Sequence, residues 1–261
     1  MNAKIFRTIF SVLLVLSILA ACVGCGGSSA DPSSDPSTVP ETETPATEAG
    51  GSAVATERPE QYSPDEYILY QNVFYQDYGK QCDGTQVSKT GVYTSIYDAY
   101  NERQRYYVWG YYDQTKCCDW QWEFVPQEGE TLPPVGSLVT VTGTFAYDDS
   151  ALDKYWITDA HTELKTEYAG PTAERDMCAM SCTLERVQMY NILSHADVFE
   201  GQEFYAYGRI ASTNSLQDPY YDGSWQIGIT WGGNLPAIGT LVEISGVIEN
   251  GTLTVQSLDE I

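Results

Sequence analysis

Seven cysteines are the side chains of this chain best equipped for chemistry, and they fall into three groups: Cys22 with Cys25, Cys82 with the adjacent pair Cys117-Cys118, and Cys178 with Cys182 in C-x3-C spacing. Thiolates are soft metal ligands and redox groups, so each cluster has more than one reading. Adjacent residues in a strand point to opposite faces. Cys117 and Cys118 can therefore share one metal only where the chain turns, and Asp113-Gln114-Thr115-Lys116 supplies turn-forming residues just upstream. With His161 as a further donor, a thiolate-rich zinc site on Cys117 and Cys118 is one reading. Structural disulfides in an exported protein are another: Cys178–Cys182, plus one bridge using Cys82. Free or buried thiols are the third, and spacing leaves all three open.

Rings form the other signal. Tyr106, Tyr107, Trp109, Tyr111 and Tyr112 crowd one stretch of alternating residues, so at least one strand face carries rings where a ligand would sit. Tyr107, Trp109 and Tyr111 share a face and are the candidate ligand-binding residues, as stacking surfaces for a sugar or anchors for a protein. Packing between neighbouring units is the competing use. Tyr220-Tyr221 is a smaller counterpart downstream. The two histidines, His161 and His195, stand in no Ser/His/Asp or Cys/His arrangement, and no G-x-S-x-G, H-E-x-x-H, Walker or dinucleotide motif occurs. The 36 acidic residues offer many carboxylate pairs and single out none. No catalytic residue and no cofactor is assigned, and a non-catalytic protein is expected.

The N-terminus reads as an export signal. Lys4 and Arg7 precede an apolar run from Ile9 to Ala20 broken only by Ser11 and Ser17. As a helix this run reaches about 18 Å, short of a hydrocarbon core of about 30 Å, so it fits a signal-peptide h-region and not a membrane span. Leu19-Ala20-Ala21-Cys22 then resembles a bacterial lipobox. That resemblance implies cleavage after residue 21 and a diacylglycerol, with palmitate-type chains, on Cys22. Two acyl chains anchor durably where one is marginal. Cys25 is a rival acceptor, but it puts Cys22 where the lipobox wants an aliphatic residue. The expected location is the extracytoplasmic face of the cell membrane, held by lipid.

Losing Lys4 and Arg7 with the signal leaves 11 basic residues against 36 acidic ones. Such a field repels polyanions, so nucleic acid is excluded as a partner. Residues 22–62 form the lipidated N-terminus and a linker: Gly26 to Pro59 has no aromatic residue and only two valines, Val39 and Val54. A stretch that buries so little cannot offset its conformational entropy, and a spacer with a reach of about 35 Å is expected.

The folded part is a duplication. Leu132-Pro133-Pro134-Val135-Gly136-Ser137-Leu138-Val139-Thr140-Val141-Thr142-Gly143 recurs at a constant offset as Leu235-Pro236-Ala237-Ile238-Gly239-Thr240-Leu241-Val242-Glu243-Ile244-Ser245-Gly246. Trp120 to Phe124 matches Trp225 to Ile229, and Gly84 to Gly91 matches Gly201 to Gly208. Three blocks in one order point to two copies of one unit. Each block alternates with period two, as half-buried strands do. Asn250-Gly251 predicts a type I′ hairpin, which places Leu253 opposite Ile248 and Val255 opposite Gly246. Gly91 and Gly208 predict a bulge or sharp coil within long first strands.

A glycine-coiled first strand, a three-strand meander and a closing hairpin resemble the OB-fold. The G-x-L-V-x-[VI]-x-G stretches resemble tandem OB-like units of poorly characterised bacterial lipoproteins. That resemblance covers roughly residues 84–160 and 201–258 and implies a mainly β protein of two small five-stranded barrels. The expected domains are 63–168 and 172–261, each with a short leading helix: one capped at Ser63-Pro64-Asp65-Glu66, the other over residues 185–197. Pro126 to Pro134 leaves no room for the usual helix between the third and fourth strands. A seven-strand sandwich is the competing architecture. The expected function is a membrane-anchored envelope module that binds a protein or glycan partner. A metal- or redox-handling accessory lipoprotein using the cysteines is the alternative.

Overall fold

The computed structural model describes residues 63–151, 153–171, 175–220 and 223–261. The expected signal peptide and linker, with Cys22 and Cys25, lie outside the described residues. The first element is helix α1 (Pro64–Cys82), and it begins where the sequence says. The Ser63 hydroxyl accepts the Glu66 backbone N–H at 3.3 Å, and the Glu66 carboxylate accepts the Ser63 N–H at 2.8 Å. This reciprocal box satisfies two donors that a helix start leaves open.

Five strands follow: β1 (Gln86–Asp98), β2 (Arg103–Tyr111), β3 (Asp119–Pro126), β4 (Leu138–Tyr147) and β5 (Tyr155–Thr166). They close in the order β1-β2-β3-β5-β4. Strand β1 makes closure possible by changing partner. Gln86 to Val92 pairs with β4, and Val92 to Asp98 pairs with β2. Gly91 sits at that change with no slip of register, so the expected bulge is absent there. A side chain at residue 91 would instead strike the Trp109 carbonyl and the Trp120 ring. One register shift falls on β4 between Thr142 and Thr144, and its equivalent in the second copy falls between Ser245 and Gly246. As the sequence indicates, the β3–β4 connection holds no helix.

The second copy contributes β6 (Arg175–Asp176), a 3-10 turn (Met177–Ala179), helix α2 (Cys182–Ser194), β7 (Glu203–Ser212), β8 (Ser215–Gln217), β9 (Gln226–Thr230), β10 (Leu241–Glu249) and β11 (Thr252–Glu260). Helix α2 starts three residues before the expected segment, because Ser181 caps it by accepting the Leu184 N–H at 3.3 Å. The sheet order is β10-β11-β9-β8-β7-β6, with β10 also paired to β7. The parallel β9–β11 pairing repeats β3–β5 of the first copy. Asn250 and Gly251 both have positive φ, 51° and 71°, and Ile248↔Leu253 and Gly246↔Val255 are in register as the sequence predicts. The protein is mainly β, with two five-stranded sheets in tandem behind a leading helix, the second extended at its edge by the two-residue β6.

Each sheet has an interior, but the two interiors are built differently. The first is lined by Trp120, Trp122, Phe124, Val139, Val141, Phe145 and Ile157, and α1 closes it. The Tyr75 ring lies 5.0 Å from Trp122 and 4.8 Å from Phe145. The second interior includes Phe204, Trp225, Ile227, Val242, Ile244, Ile248 and Leu253, and it is continuous with Ile96, Tyr107 and Trp109 from the outer face of β1 and β2 and with Ala99 in the turn between them. Helix α2 packs between them: Leu184, Met189 and Ile192 belong to the same cluster, and the Asn191 amide donates to the Tyr97 carbonyl at 3.0 Å. The segments 63–168 and 172–261 therefore share a core.

Candidate functional site

The face proposed for ligand stacking is covered. Tyr107 and Trp109 are each 7% exposed, and Tyr111 packs against the same cluster. On β2, Val108 points into the first sheet's interior, which sends the Tyr107-Trp109-Tyr111 face outward, and the second copy with α2 lies over it. The rings form the junction of the two copies and present no open platform. Tyr220 is exposed, and Tyr221 lies outside the described residues.

The cysteines are dispersed. Cys117 and Cys118 are exposed in the β2–β3 connection, where Lys116 adopts φ 56° and the chain turns so that the two sulfurs stand 3.6 Å apart. Among the described residues, no group of three or more Cys, His, Asp or Glu side chains gathers to hold a metal. The His161 Nδ1 lies 3.1 Å from a carboxylate oxygen of Glu130, a residue of the β3–β4 connection. Cys82, Cys178 and Cys182 are free thiols, with Cys178 just before α2 and Cys182 as its first residue, and no bond joins those two. Burial pushes the thiols of Cys82, Cys178 and Cys182 up, keeping them protonated and slow as nucleophiles or ligands.

An open concavity lies on the second copy. A groove of about 530 Å³ runs between the β7–β8 turn and the β9–β10 connection. Buried Ile210 and Ile229 form its floor. Ser212, Thr213 and Asn214 line one wall, and Thr230, Trp231 and Asn234 line the other. Leu235, Pro236 and Ile238 make the apolar rim, with Ile238 70% exposed. The turn is preset internally: the Ser212 hydroxyl is 2.9 Å from the Asn214 carboxamide oxygen and 2.6 Å from the Ser215 hydroxyl, and the Asn214 carbonyl accepts the Ile229 N–H at 2.8 Å. The opposite wall is fixed by the Trp231 indole, which donates to the Asn234 carbonyl at 3.3 Å. A side chain at Gly233 would lie 2.8 Å from that indole and would have to displace it, so glycine keeps the indole in place against the backbone. No ionisable residue lines the groove.

No protein-family model and no curated protein matches this chain.

Lys89, Glu185 and Asp176 are buried ionisable positions that the sequence reading does not single out. Lys89 is 3% exposed inside the first sheet, with its ammonium 4.6 Å from the Trp120 ring centre and 4.8 Å from that of Trp122. Its one hydrogen-bond acceptor is the Asn72 carboxamide, at 3.4 Å, which also takes the Trp122 indole N–H at 2.7 Å. Burial lowers its pKa to about 7. Lys89 keeps the inward parity of Val87 and Tyr93, and that parity was the available signal. On α2, Glu185 is 3% exposed; burial first, then the Asp218 carboxylate, raise its pKa to about 9. Gln188 is buried one turn on without a partner for its amide, and Asp176 is raised to about 6, again chiefly by burial. Neither Lys89 nor Glu185 opens onto the groove.

Proposed function

We propose that this chain is a lipid-anchored protein of the cell envelope, held at the extracytoplasmic face through acylated Cys22, and that it acts as a non-catalytic binding module for a protein or glycan partner. The folded part is read as two OB-like barrels. Strand order 1-2-3-5-4, with the first strand shared between its second and fourth partners and the third parallel to the fifth, supports that reading in both copies. Among the described residues no helix is long and apolar enough to cross a membrane, which is compatible with anchoring by lipid.

The observation that carries the binding reading is the groove of the second copy, concave, half apolar and free of ionisable side chains. Such a surface recognises by shape and neutral hydrogen bonds, and it holds no group able to move a proton or activate a nucleophile. A protein partner has a second foothold in the outward face of α1, where Leu69, Tyr70, Val73 and Tyr78 are all close to half exposed.

The test combines anchor and groove. Cells expressing the wild-type chain should incorporate labelled palmitate into it and retain it in the membrane fraction, and Cys22→Ser should release it unlabelled. Membrane-bound wild type should capture a partner from envelope extract, and Ile238→Asp, which puts a charge on the exposed rim, should weaken capture about tenfold. Retention of Cys22→Ser in the membrane would defeat the anchor. Undiminished capture by Ile238→Asp would defeat the groove.

A further inference from the structure

We propose that the groove is a subsite for a neutral oligosaccharide, with Trp231 as stacking surface and the Asn214 and Asn234 carboxamides as hydrogen-bonding groups. The inference rests on reading the groove as the binding site and names the chemistry of its ligand.

Three features select that chemistry. The lining is uncharged, so neither a cationic nor an anionic group on a ligand meets a partner there. The whole chain carries a formal net charge of −23, which repels acidic polymers before they reach the groove. What remains is a mixture matched to a pyranose: apolar surface from the indole, Leu235 and Ile238 for the C–H faces of the ring, and carboxamides and hydroxyls for its alcohol groups. A carboxamide both donates and accepts, as a pair of vicinal hydroxyls requires. The Asn214 oxygen already faces the Ser212 hydroxyl, which leaves its N–H2 to donate. A volume of about 530 Å³ lies within the usual range for a small-molecule site and is open along its length, which suits a segment of a chain.

The repeat supplies an independent argument. At the offset that aligns Trp225 to Ile229 with Trp120 to Phe124, Thr230 and Trp231 correspond to Val125 and Pro126. The first copy thus lacks the indole and the hydroxyl at the matching place, although the Leu-Pro-x-[VI]-Gly segment behind them is repeated. The groove is a feature of one copy, and the expected stoichiometry is one site per chain.

Isothermal titration calorimetry on the full chain in detergent micelles tests this, with three neutral hexasaccharides as probes: β-1,4-linked glucose, β-1,4-linked N-acetylglucosamine and α-1,6-linked mannose. At least one should bind one-to-one. Trp231→Ala should weaken it about tenfold or more, and Trp231→Tyr should retain most of the affinity. Asn234→Ala changes an exposed side chain, and it should weaken binding severalfold in a protein whose thermal unfolding is unchanged. Failure of all three sugars, two sites per chain, or affinity untouched by both alanine variants would overturn the proposal. If the sugars fail while capture of an envelope protein is lost in Trp231→Ala, the ligand class is wrong and the groove stands. If that capture is also untouched, both are wrong.

Discussion

Trp109→Ala is expected to destabilise the protein by about 3–5 kcal/mol, the range for emptying a buried tryptophan site, and to loosen both sheets together. The indole is 7% exposed and sits on the outer face of β2, outside the interior of its own sheet. It stacks edge-on against Tyr111 at 5.5 Å and joins the cluster that continues through α2 into the second sheet. Were the two copies independent beads, removing a surface ring from the first would leave the second untouched. A shared core makes the opposite prediction. Urea unfolding followed by tryptophan fluorescence and by far-ultraviolet circular dichroism should give one coincident transition in wild type and a lowered, still coincident one in Trp109→Ala. Two separated transitions, with the second sheet's unchanged, would contradict the shared core.

Lys89→Met is expected to stabilise, and by an amount that depends on pH. The folded pKa of about 7 lies below the unfolded value near 10.5, so between those limits the unfolded chain binds more protons. Stability therefore rises with pH across that window, and the penalty for the buried ammonium is complete below pH 7. Each unit of depression costs about 1.4 kcal/mol, and loss of the cation–π contacts offsets part of the gain, so the net benefit of methionine is on the order of 2–4 kcal/mol below pH 7. It should shrink toward zero above about pH 10.5, where lysine is neutral in both states. Glu185 acts in the opposite sense. Its raised folded pKa, about 9, makes stability fall as pH rises from the usual carboxylate range through 9. In wild type the two slopes partly cancel over the window they share. Removing Lys89 should expose the falling limb, so the urea midpoint of Lys89→Met should decline from about pH 6 to about pH 9. A pH-independent difference between the two proteins would mean that Lys89 is solvated.

How much of this was legible in the sequence follows the range of each interaction. The β10–β11 hairpin could be placed residue by residue, because Asn250-Gly251 fixes the turn and the period-two stripes fix the register. The start of α1 was legible for the same reason, since Ser63 and Glu66 carry the cap in four residues. The inward stripes of β3 and β4 also read correctly, through Trp120, Trp122 and Phe124 and through Val139, Val141 and Phe145. What failed was long-range. The outer face of β2 reads either as a ligand platform or as packing between units, and nothing local decides that α2 and the second sheet cover Tyr107 and Trp109. Gly91 suggests a bulge or a sharp coil where the first strand changes partner; the change of partner is there without a bulge, and what requires glycine is the approach of the Trp109 carbonyl, a contact between strands. The groove depends on the path of the β9–β10 connection over Trp231, and a glycine at 233 among other turn residues gave no hint of that contact.

Oxidative footprinting by hydroxyl radicals, with and without a saturating neutral hexasaccharide that binds, tests the location of the binding site most directly. The account predicts protection confined to 212–214 and 229–238, with Trp231 most affected and β2 unchanged. Protection at Tyr111 or along the outward face of α1, with Trp231 as reactive as before, would contradict it.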